Sequence, residues 1–361
     1  MAKVSNEVIV VGAGLAGMTA ALNLARGGRD VLLLEKYDQV GGMPEVRPAV
    51  DVTPFDVGPV SKFIGVELGA PQIVPCEHWN FYAFDHKVEM KVNEVNLHCV
   101  ERGPRKTALD AQLEGLCREA GVKFEFGRDF KSQHDFAQLP PDSIIATGLY
   151  PGGAFESFNI PYQKVFGYMG RGKTDKFPYC AVWMHDYILD YAYYGSSNGA
   201  VFCLYFAREP VKESEFERFK EVQLKGQEGM ECSSWVYHEG LVPTAAYSTP
   251  RLFWGDKILA GTLAGGMDPF ALFGVHGSLV TGKIAAIALT DKAEAFALFK
   301  KYTRFYNRNL FMRRVFDGTP LAIKRRIMGP QLQFSQDHVD KFGFAMNNFF
   351  KALPGYQELP R

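Results

Sequence analysis

The feature that most constrains this chain lies in its first forty residues. Val8, Ile9, Val10 and Val11 form a β-branched run that reads as a fully buried strand of a parallel sheet. Gly12, Gly14 and Gly17 follow at once and complete a G-x-G-x-x-G pattern, and Met18–Arg26 then reads as a helix closed by Gly27 and Gly28. The first glycine permits a tight turn, the second lets backbone approach a pyrophosphate, and the third lets helix and strand pack closely. A phosphate placed there meets unpaired helix N–H groups and the positive end of the helix dipole. Asp30–Glu35 reads as a second buried strand ending in an acid, and Glu35 stands where a carboxylate accepts hydrogen bonds from both ribose hydroxyls and repels a 2′-phosphate. A βαβ unit built to hold a dinucleotide is the expectation.

Composition narrows the rest. A chain of 361 residues, 47% hydrophobic and 22% charged, excludes a disordered or fibrous protein and predicts two domains, or one domain with a large insertion. Lysine and arginine number 40 and so do aspartate and glutamate, which argues against a globally basic nucleic-acid binder. The six cysteines (Cys76, Cys99, Cys117, Cys180, Cys203 and Cys232) form no C-x-x-C pair and do not cluster with histidine, so no metal site is expected. With no export signal at the start of the sequence, reduced thiols and a cytoplasmic address are the expectation. Apolar runs break well short of the roughly 18 residues of a membrane span, which leaves only peripheral membrane contact.

Beyond the glycines, Glu35, Lys36, Gly41, Gly42 and Met43 resemble the E-(K/R)-x(4)-G-G continuation of two-dinucleotide-binding flavoproteins. Phe55-Asp56-Val57-Gly58 resembles the F-D-x-G segment of their amine-oxidase and desaturase branches. Arg102, ahead of a helical spacing of Leu109, Leu113, Leu116 and Ala120, resembles the arginine that sits beside the FAD pyrophosphate in geranylgeranyl reductases and aromatic hydroxylases. Ser143–Gly148 resembles the strand that returns to FAD, and Lys257–Ala286 resembles the L-x-G-D-A-A-G-x-x-D-P segment of geranylgeranyl reductase-like oxidoreductases. The family's aspartate after the first glycine of that segment is Thr262 here, a neutral group that makes a weaker hydrogen bond to a ribityl hydroxyl, so the resemblance implies either weaker FAD binding or compensation by Asp256 or Asp268. The resemblance covers residues 7–60, 95–150 and 236–290.

The fold it implies is α/β: a Rossmann-type FAD-binding domain, a mainly antiparallel β-sheet substrate domain inserted into it, and C-terminal helices. The expected division is residues 1–75, 95–150 and 251–290 for the FAD-binding parts, 76–94 and 151–250 for the substrate sheet, and 291–361 for a basic helical region. The resemblance implies non-covalent FAD held by Gly12, Gly14, Leu15, Ala16, Gly17, Glu35, Lys36, Gly41, Gly42 and Met43. It adds Arg102, Ala146, Thr147, Gly148, Gly261, Thr262, Asp268, Pro269, Gly274 and Val275. The helix starting near Gly274 would point its N-terminus at the edge of the flavin where negative charge gathers on reduction.

The insert is aromatic. Tyr187–Phe206 reads as a β-hairpin around Gly195–Gly199, Glu213–Val222 as an amphipathic helix, and Phe81, Tyr82, Phe84, Val88, Met90 and Val92 as further strands. Tyr191-x-Tyr193 keeps the aromatic spacing of the reductases' Y-x-W-x-F-P-K signature but not its F-P-K, and Glu239–Pro243 resembles their G-G-x-x-P strand. The chemistry implied is hydride transfer from flavin N5 to a carbon–carbon double bond of an apolar substrate, with a proton from His276, Tyr191, Tyr193 or Cys232. A flavin monooxygenase and an electron-relay subunit are the alternatives. With no second G-x-G-x-x-G, the electron donor would be a transiently bound NAD(P)H or an electron-carrier protein. Residues 300–326 hold nine basic residues (Lys300, Lys301, Arg304, Arg308, Arg313, Arg314, Lys324, Arg325 and Arg326) against the single acid Asp317, interleaved with aromatics. They read as a solvated basic helix or as a surface for an anionic membrane, an acidic electron carrier, or a phosphorylated or CoA-linked substrate.

Overall fold

The computed structural model describes residues 7–84, 86–91, 94–149, 153–175, 178–225, 231–351, 353 and 359, and the backbone but not the side chain of Leu189. Val92 lies outside the described residues.

The chain is α/β, with a Rossmann-type layer, a large mainly antiparallel sheet and C-terminal helices. The first layer is a six-stranded sheet in the spatial order Phe253–Trp254, Lys257–Leu259, Ile144–Ile145, Glu7–Val11, Asp30–Leu34, Lys123–Glu125. Its pairings are parallel except at the Phe253–Trp254 edge. The apolar runs read from the sequence are its central strands, buried at their carboxyl ends and packed against the helix Leu15–Arg26. The helix Leu15–Arg26 is apolar all round because it is covered on both sides: one side lies on the sheet and the other meets the helix Val275–Ala288. The helices approach closely because Gly282 lacks a side chain; a Cβ there would lie 2.3 Å from the Ala16 carbonyl oxygen.

The second layer is a seven-stranded sheet in the order Cys232–Val242, Gln163–Lys173, Ala200–Ala207, Ile188–Ser197, Tyr179–His185, His78–Ala83, His86–Lys91. Only the pairing of Tyr179–His185 with His78–Ala83 is parallel. The aromatic hairpin forms, but its turn is tighter than the sequence suggested. Gly195, Ser196 and Ser197 stay in the strand and Ser197 pairs with Ala200, which leaves Asn198 and Gly199 as the two turn residues. Both have positive φ, 52° and 74°, the requirement of the two-residue hairpin turn that matches strand twist. The amphipathic helix spans Glu213–Phe219 and relaxes into a wider π turn over Lys220–Leu224.

A three-stranded sheet, ordered Ala49–Thr53, His98–Arg102, Ile73–Pro75, lies near the cavity and carries Arg102. The helices Lys292–Tyr302, Tyr306–Gly318, Leu321–Asp337 and Val339–Lys351 complete the fold. Among the described residues no helix is long and apolar enough to cross a membrane.

Candidate functional site

A continuous cavity of about 710 Å³ opens where the carboxyl ends of the central parallel strands face the seven-stranded sheet. Ligands of open α/β sheets bind at this position. Gly12, Gly14, Leu15 and Ala16 line one end, with Glu35 and Lys36 beside them. Gly12 adopts φ +101°, and a Cβ there would sit 2.5 Å from the Ala146 carbonyl oxygen. At Gly14 a Cβ would meet nothing within 4 Å: the space above it is cavity. Gly17 is not on the cavity wall; a Cβ there would lie 1.8 Å from the Gly12 carbonyl oxygen, so it sets the helix–strand contact.

Glu35 is buried, which raises its pKa, against the lowering effect of its hydrogen bonds. The Ala13 N–H donates to Oε2 at 2.7 Å and the Tyr37 N–H to Oε1 at 3.1 Å. The acid therefore ties the end of the second strand to the glycine turn, while each oxygen keeps acceptor capacity toward the cavity. Partial burial lowers Lys36 to about 8.

Further along the wall lie Gly41, Gly42, Met43 and Arg102, then Ala146, Thr147 and Gly148. Arg102 donates from Nε and Nη2 to both oxygens of buried Asp110, at 2.8 and 3.0 Å, and from Nη1 to Asp51 at 3.1 Å. This bidentate fork fixes its plane, and the opposed charges outweigh burial to raise its pKa. Burial lowers the pKa of the neighbouring Arg47, whose Nε donates to the Gly41 carbonyl. The hydroxyl of Thr147 is buried with no protein partner. Gly261, Thr262, Gly274 and Val275 close this half.

Two helix N-termini converge here, those of Leu15–Arg26 and Val275–Ala288, and neither carries a side-chain cap. Their first N–H groups are available to an anion, and the dipoles add positive potential beside Arg47, Arg102 and Lys36. A glycine cradle, an acid on the cavity wall, two uncapped helix starts and an orphaned hydroxyl fit a pyrophosphate-linked dinucleotide.

Asp268 and Pro269 do not line the cavity. The Asp268 carboxylate turns away from it: Oδ2 accepts from the Phe270 and Ala271 N–H groups at 3.1 and 2.6 Å, and Oδ1 from Asn309 Nδ2 at 3.0 Å. It caps a turn and anchors the helix Tyr306–Gly318, so it does not replace the missing ribityl acid. Nor does Asp256, which is mostly exposed and pairs with Lys257 at 2.7 Å.

The four proton-donor candidates separate. Tyr191 and Tyr193, two apart on one strand, both line the cavity. Tyr193 donates to Asp51 and Tyr191 to the Ala271 carbonyl, each at 3.4 Å, and burial raises both pKa values so that each keeps its proton. His276 does not line the cavity. Val275 and Ser278 face the cavity, and helical geometry turns the intervening His276 away to an edge-on contact with Phe55 and a stack on Tyr302. Burial lowers its pKa to about 4. Cys232 starts its strand, and only the far end of that strand, at His238, Gly240 and Val242, reaches the wall.

Arg47, Asp51 and His238 were not anticipated, and neither was the contribution of Phe316, Met328, Met346, Phe349 and Phe350 from the C-terminal helices. The basic stretch is also not uniformly solvated. Arg313 is 3% exposed and donates to Asp190, to Asp317 at 2.8 Å and to the Phe270 carbonyl at 2.8 Å.

Residues 7–47 match a family model described as FAD dependent oxidoreductase. Over these residues the chain is similar to FAD-dependent oxidoreductases, which supports FAD as its cofactor. In sequence this flavoprotein is 33% identical over 121 residues to the flavin-containing monooxygenase FMO GS-OX-like 7 of Arabidopsis thaliana, which is 33% of this chain and 25% of that protein. It is 47% identical over 55 residues to a 4,4'-diapolycopene oxygenase of Methylomonas sp, 15% of this chain and 11% of that one. It is 51% identical over 53 residues to a carotenoid 3,4-desaturase of Haloarcula japonica, 15% of this chain and 10% of that one. The flavoprotein thus spans a quarter or less of these curated relatives. Its fold matches a geranylgeranyl bacteriochlorophyll reductase-like structure from Thermoplasma acidophilum with a TM-score of 0.65 at 14% identity, over 94% of this chain and 91% of that one. It also matches a p-nitrophenol 4-monooxygenase from Pseudomonas putida with a TM-score of 0.63 at 14% identity, over 96% and 97%.

Proposed function

We propose that the chain is an enzyme that reduces, or in the reverse direction dehydrogenates, a carbon–carbon double bond of an apolar substrate such as an isoprenoid. The observation that carries this reading is the continuity of the cavity. It runs from the glycine cradle to a wall of Phe81, Met169, Val182, Met184, Phe202 and Leu204 on the seven-stranded sheet. A wide apolar face next to a dinucleotide end suits a substrate with little polarity.

When bound, FAD supplies hydride transfer at its N5. The chain's own part is to hold the substrate, exclude water and supply the proton. Gly12, Gly14, Leu15, Ala16, Glu35, Lys36, Arg47 and Arg102 would hold the adenosine and pyrophosphate, and Gly261, Thr262, Gly274 and Val275 the flavin end. Tyr191 is the proposed proton donor. It stays protonated in the cavity, and the nearby Arg313 lowers its pKa against burial and the charges of Asp190 and Asp268. Tyr193, against the Asp51 carboxylate, would position it. In this reading residues 1–75, 95–150 and 251–290 serve the cofactor and residues 76–94 and 151–250 the substrate, with 291–361 closing the far end. NAD(P)H or an electron-carrier protein would supply electrons.

A flavin monooxygenase is the second reading, favoured by the sequence likeness to the Arabidopsis protein named a flavin-containing monooxygenase. Anaerobic reduction of the purified protein decides between them. Reoxidation by an isoprenoid alkene without oxygen supports the reductase, and a substrate-dependent oxygenated spectrum on admitting air supports the monooxygenase. Reoxidation only by a partner protein would overturn both. Tyr191→Phe should lower alkene turnover about 10²-fold or more with FAD retained; full turnover would remove it as donor.

A further inference from the structure

Two of the C-terminal helices, Tyr306–Gly318 and Leu321–Asp337, carry apolar side chains on both sides. In Leu321–Asp337 the buried Gly329, Leu332 and Ser335 mark the inward side. At about 100° per residue, Ile323, Ile327 and Phe334 fall within about 40° of one another on the opposite side, and all three are exposed. In Tyr306–Gly318 the inward side is Tyr306, Asn309, Leu310 and Arg313, and the outward line is Arg308, Phe311 and Val315. Phe311 is 58% exposed, and Phe344 on the last helix is 71% exposed. A helix that only closes a core keeps its outward side polar.

The same helices, with the turn and helix end before them, carry exposed Lys301, Arg304, Arg308, Arg314 and Arg326. Asp317 is held by Arg208 and Arg313, while Asp337 and Asp340 sit at the junction of the last two helices. The inward sides of the same helices supply Phe316, Met328, Met346 and Phe349 to the cavity. Met328 lines the cavity and its neighbour Ile327 faces out, so one helix separates the apolar end of the cavity from this surface.

We propose that this outer face docks on an anionic lipid bilayer and brings the apolar end of the cavity to the membrane, where an apolar substrate is dissolved. Outward apolar side chains with a basic collar are the composition of a helix that lies in the membrane interface. A second copy of the chain fits less well, because a twofold contact would bring the two basic collars together. The proposal rests on the apolar-substrate reading for its purpose but not for its surface.

The test is co-sedimentation of the full FAD-loaded chain with vesicles of equal phosphatidylglycerol and phosphatidylcholine, and with vesicles of phosphatidylcholine alone. Binding to the first, weakened by salt, is expected. Ile327→Glu with Phe334→Glu should lower it at least about tenfold while FAD content and circular dichroism stay unchanged. No binding, equal binding by the double variant, or a shift of the double variant from dimer to monomer without vesicle binding would each overturn the proposal. A second arm gives the reduced enzyme geranylgeraniol either in these vesicles or in detergent micelles. Faster reoxidation from vesicles, lost in the double variant, supports docking as delivery. Reoxidation from micelles without vesicle binding sinks the docking alone; binding without reoxidation from either source sinks the substrate reading alone.

Discussion

A Cβ at Gly17 would lie 1.8 Å from the Gly12 carbonyl oxygen, whereas one at Gly14 would meet nothing within 4 Å. The same fingerprint therefore contains a packing glycine and a ligand glycine, and they should fail differently. Gly17→Ala forces helix and strand apart, so a lowered Tm and poor recovery of folded protein are expected. Gly14→Val fills only cavity, so it should fold with Tm within a few degrees of wild type in the absence of FAD while FAD affinity falls about 10²-fold or more, read by flavin fluorescence. Asp268 gives a pH dependence. Burial raises its carboxyl from 3.8 to about 6, against the hydrogen bonds from Phe270, Ala271 and Asn309. A folded-state pKa above the unfolded one contributes stability at low pH that is lost as the pH rises through about 6, up to roughly 3 kcal/mol at full ionisation. Asp268→Asn keeps an acceptor for the two N–H groups, and a turned Asn309 amide can meet its nitrogen. The variant should lack this downward slope between pH 4 and 7 in denaturant titrations; an unchanged slope would place the titration elsewhere.

At the scale of elements, the helix Tyr306–Gly318 is joined to the hairpin strand Ile188–Ser197 by Arg313 and Asp190, both about 4% exposed at the side chain. Arg208 lies 3.5 Å from the same carboxylate. Arg313→Met should cost about 3–5 kcal/mol in denaturant unfolding, because it leaves a buried carboxylate short of its main partner. Arg313→Met with Asp190→Leu should recover most of that loss; no recovery would mean that the pair does not act as a unit. Legibility in the sequence followed the range of the interactions. The strand–glycine–helix–strand unit was readable because its residues are contiguous and its chemistry is local, and the hairpin because of its turn residues. The Asp190–Arg313 pair spans 123 residues and left no local trace, so Arg313 read as one more member of a basic run. His276 is near Gly274 along the chain, but the helical period, also legible in the sequence, turns it away from the wall. Arg47 and Asp51 belong to no pattern: they meet Arg102 only because Ala49–Thr53 pairs antiparallel with His98–Arg102.

Across the whole molecule, one cavity is shared between two layers that the chain builds in alternation, crossing between them several times. The glycine cradle comes from contiguous sequence, but the apolar end is assembled from strands of the seven-stranded sheet and from helices at the C-terminus, which is why its lining could not be listed in advance. The division of labour in such a cavity is testable by filling one end. Leu204 lines the cavity on the strand Ala200–Ala207, opposite Met169 and Tyr193, on the layer away from the glycines. Leu204→Trp adds bulk that projects into open space, so the core should tolerate it. If this end receives substrate, the variant should bind FAD one to one, be reduced by dithionite as the wild type is, and lose about tenfold or more in reoxidation by an isoprenoid alkene. A Leu204→Ala enlargement should keep FAD and shift the preference toward bulkier alkenes. Loss of flavin from the tryptophan variant would mean instead that the cofactor extends across the sheet and that the substrate end lies nearer Met328 and Met346, under the C-terminal helices.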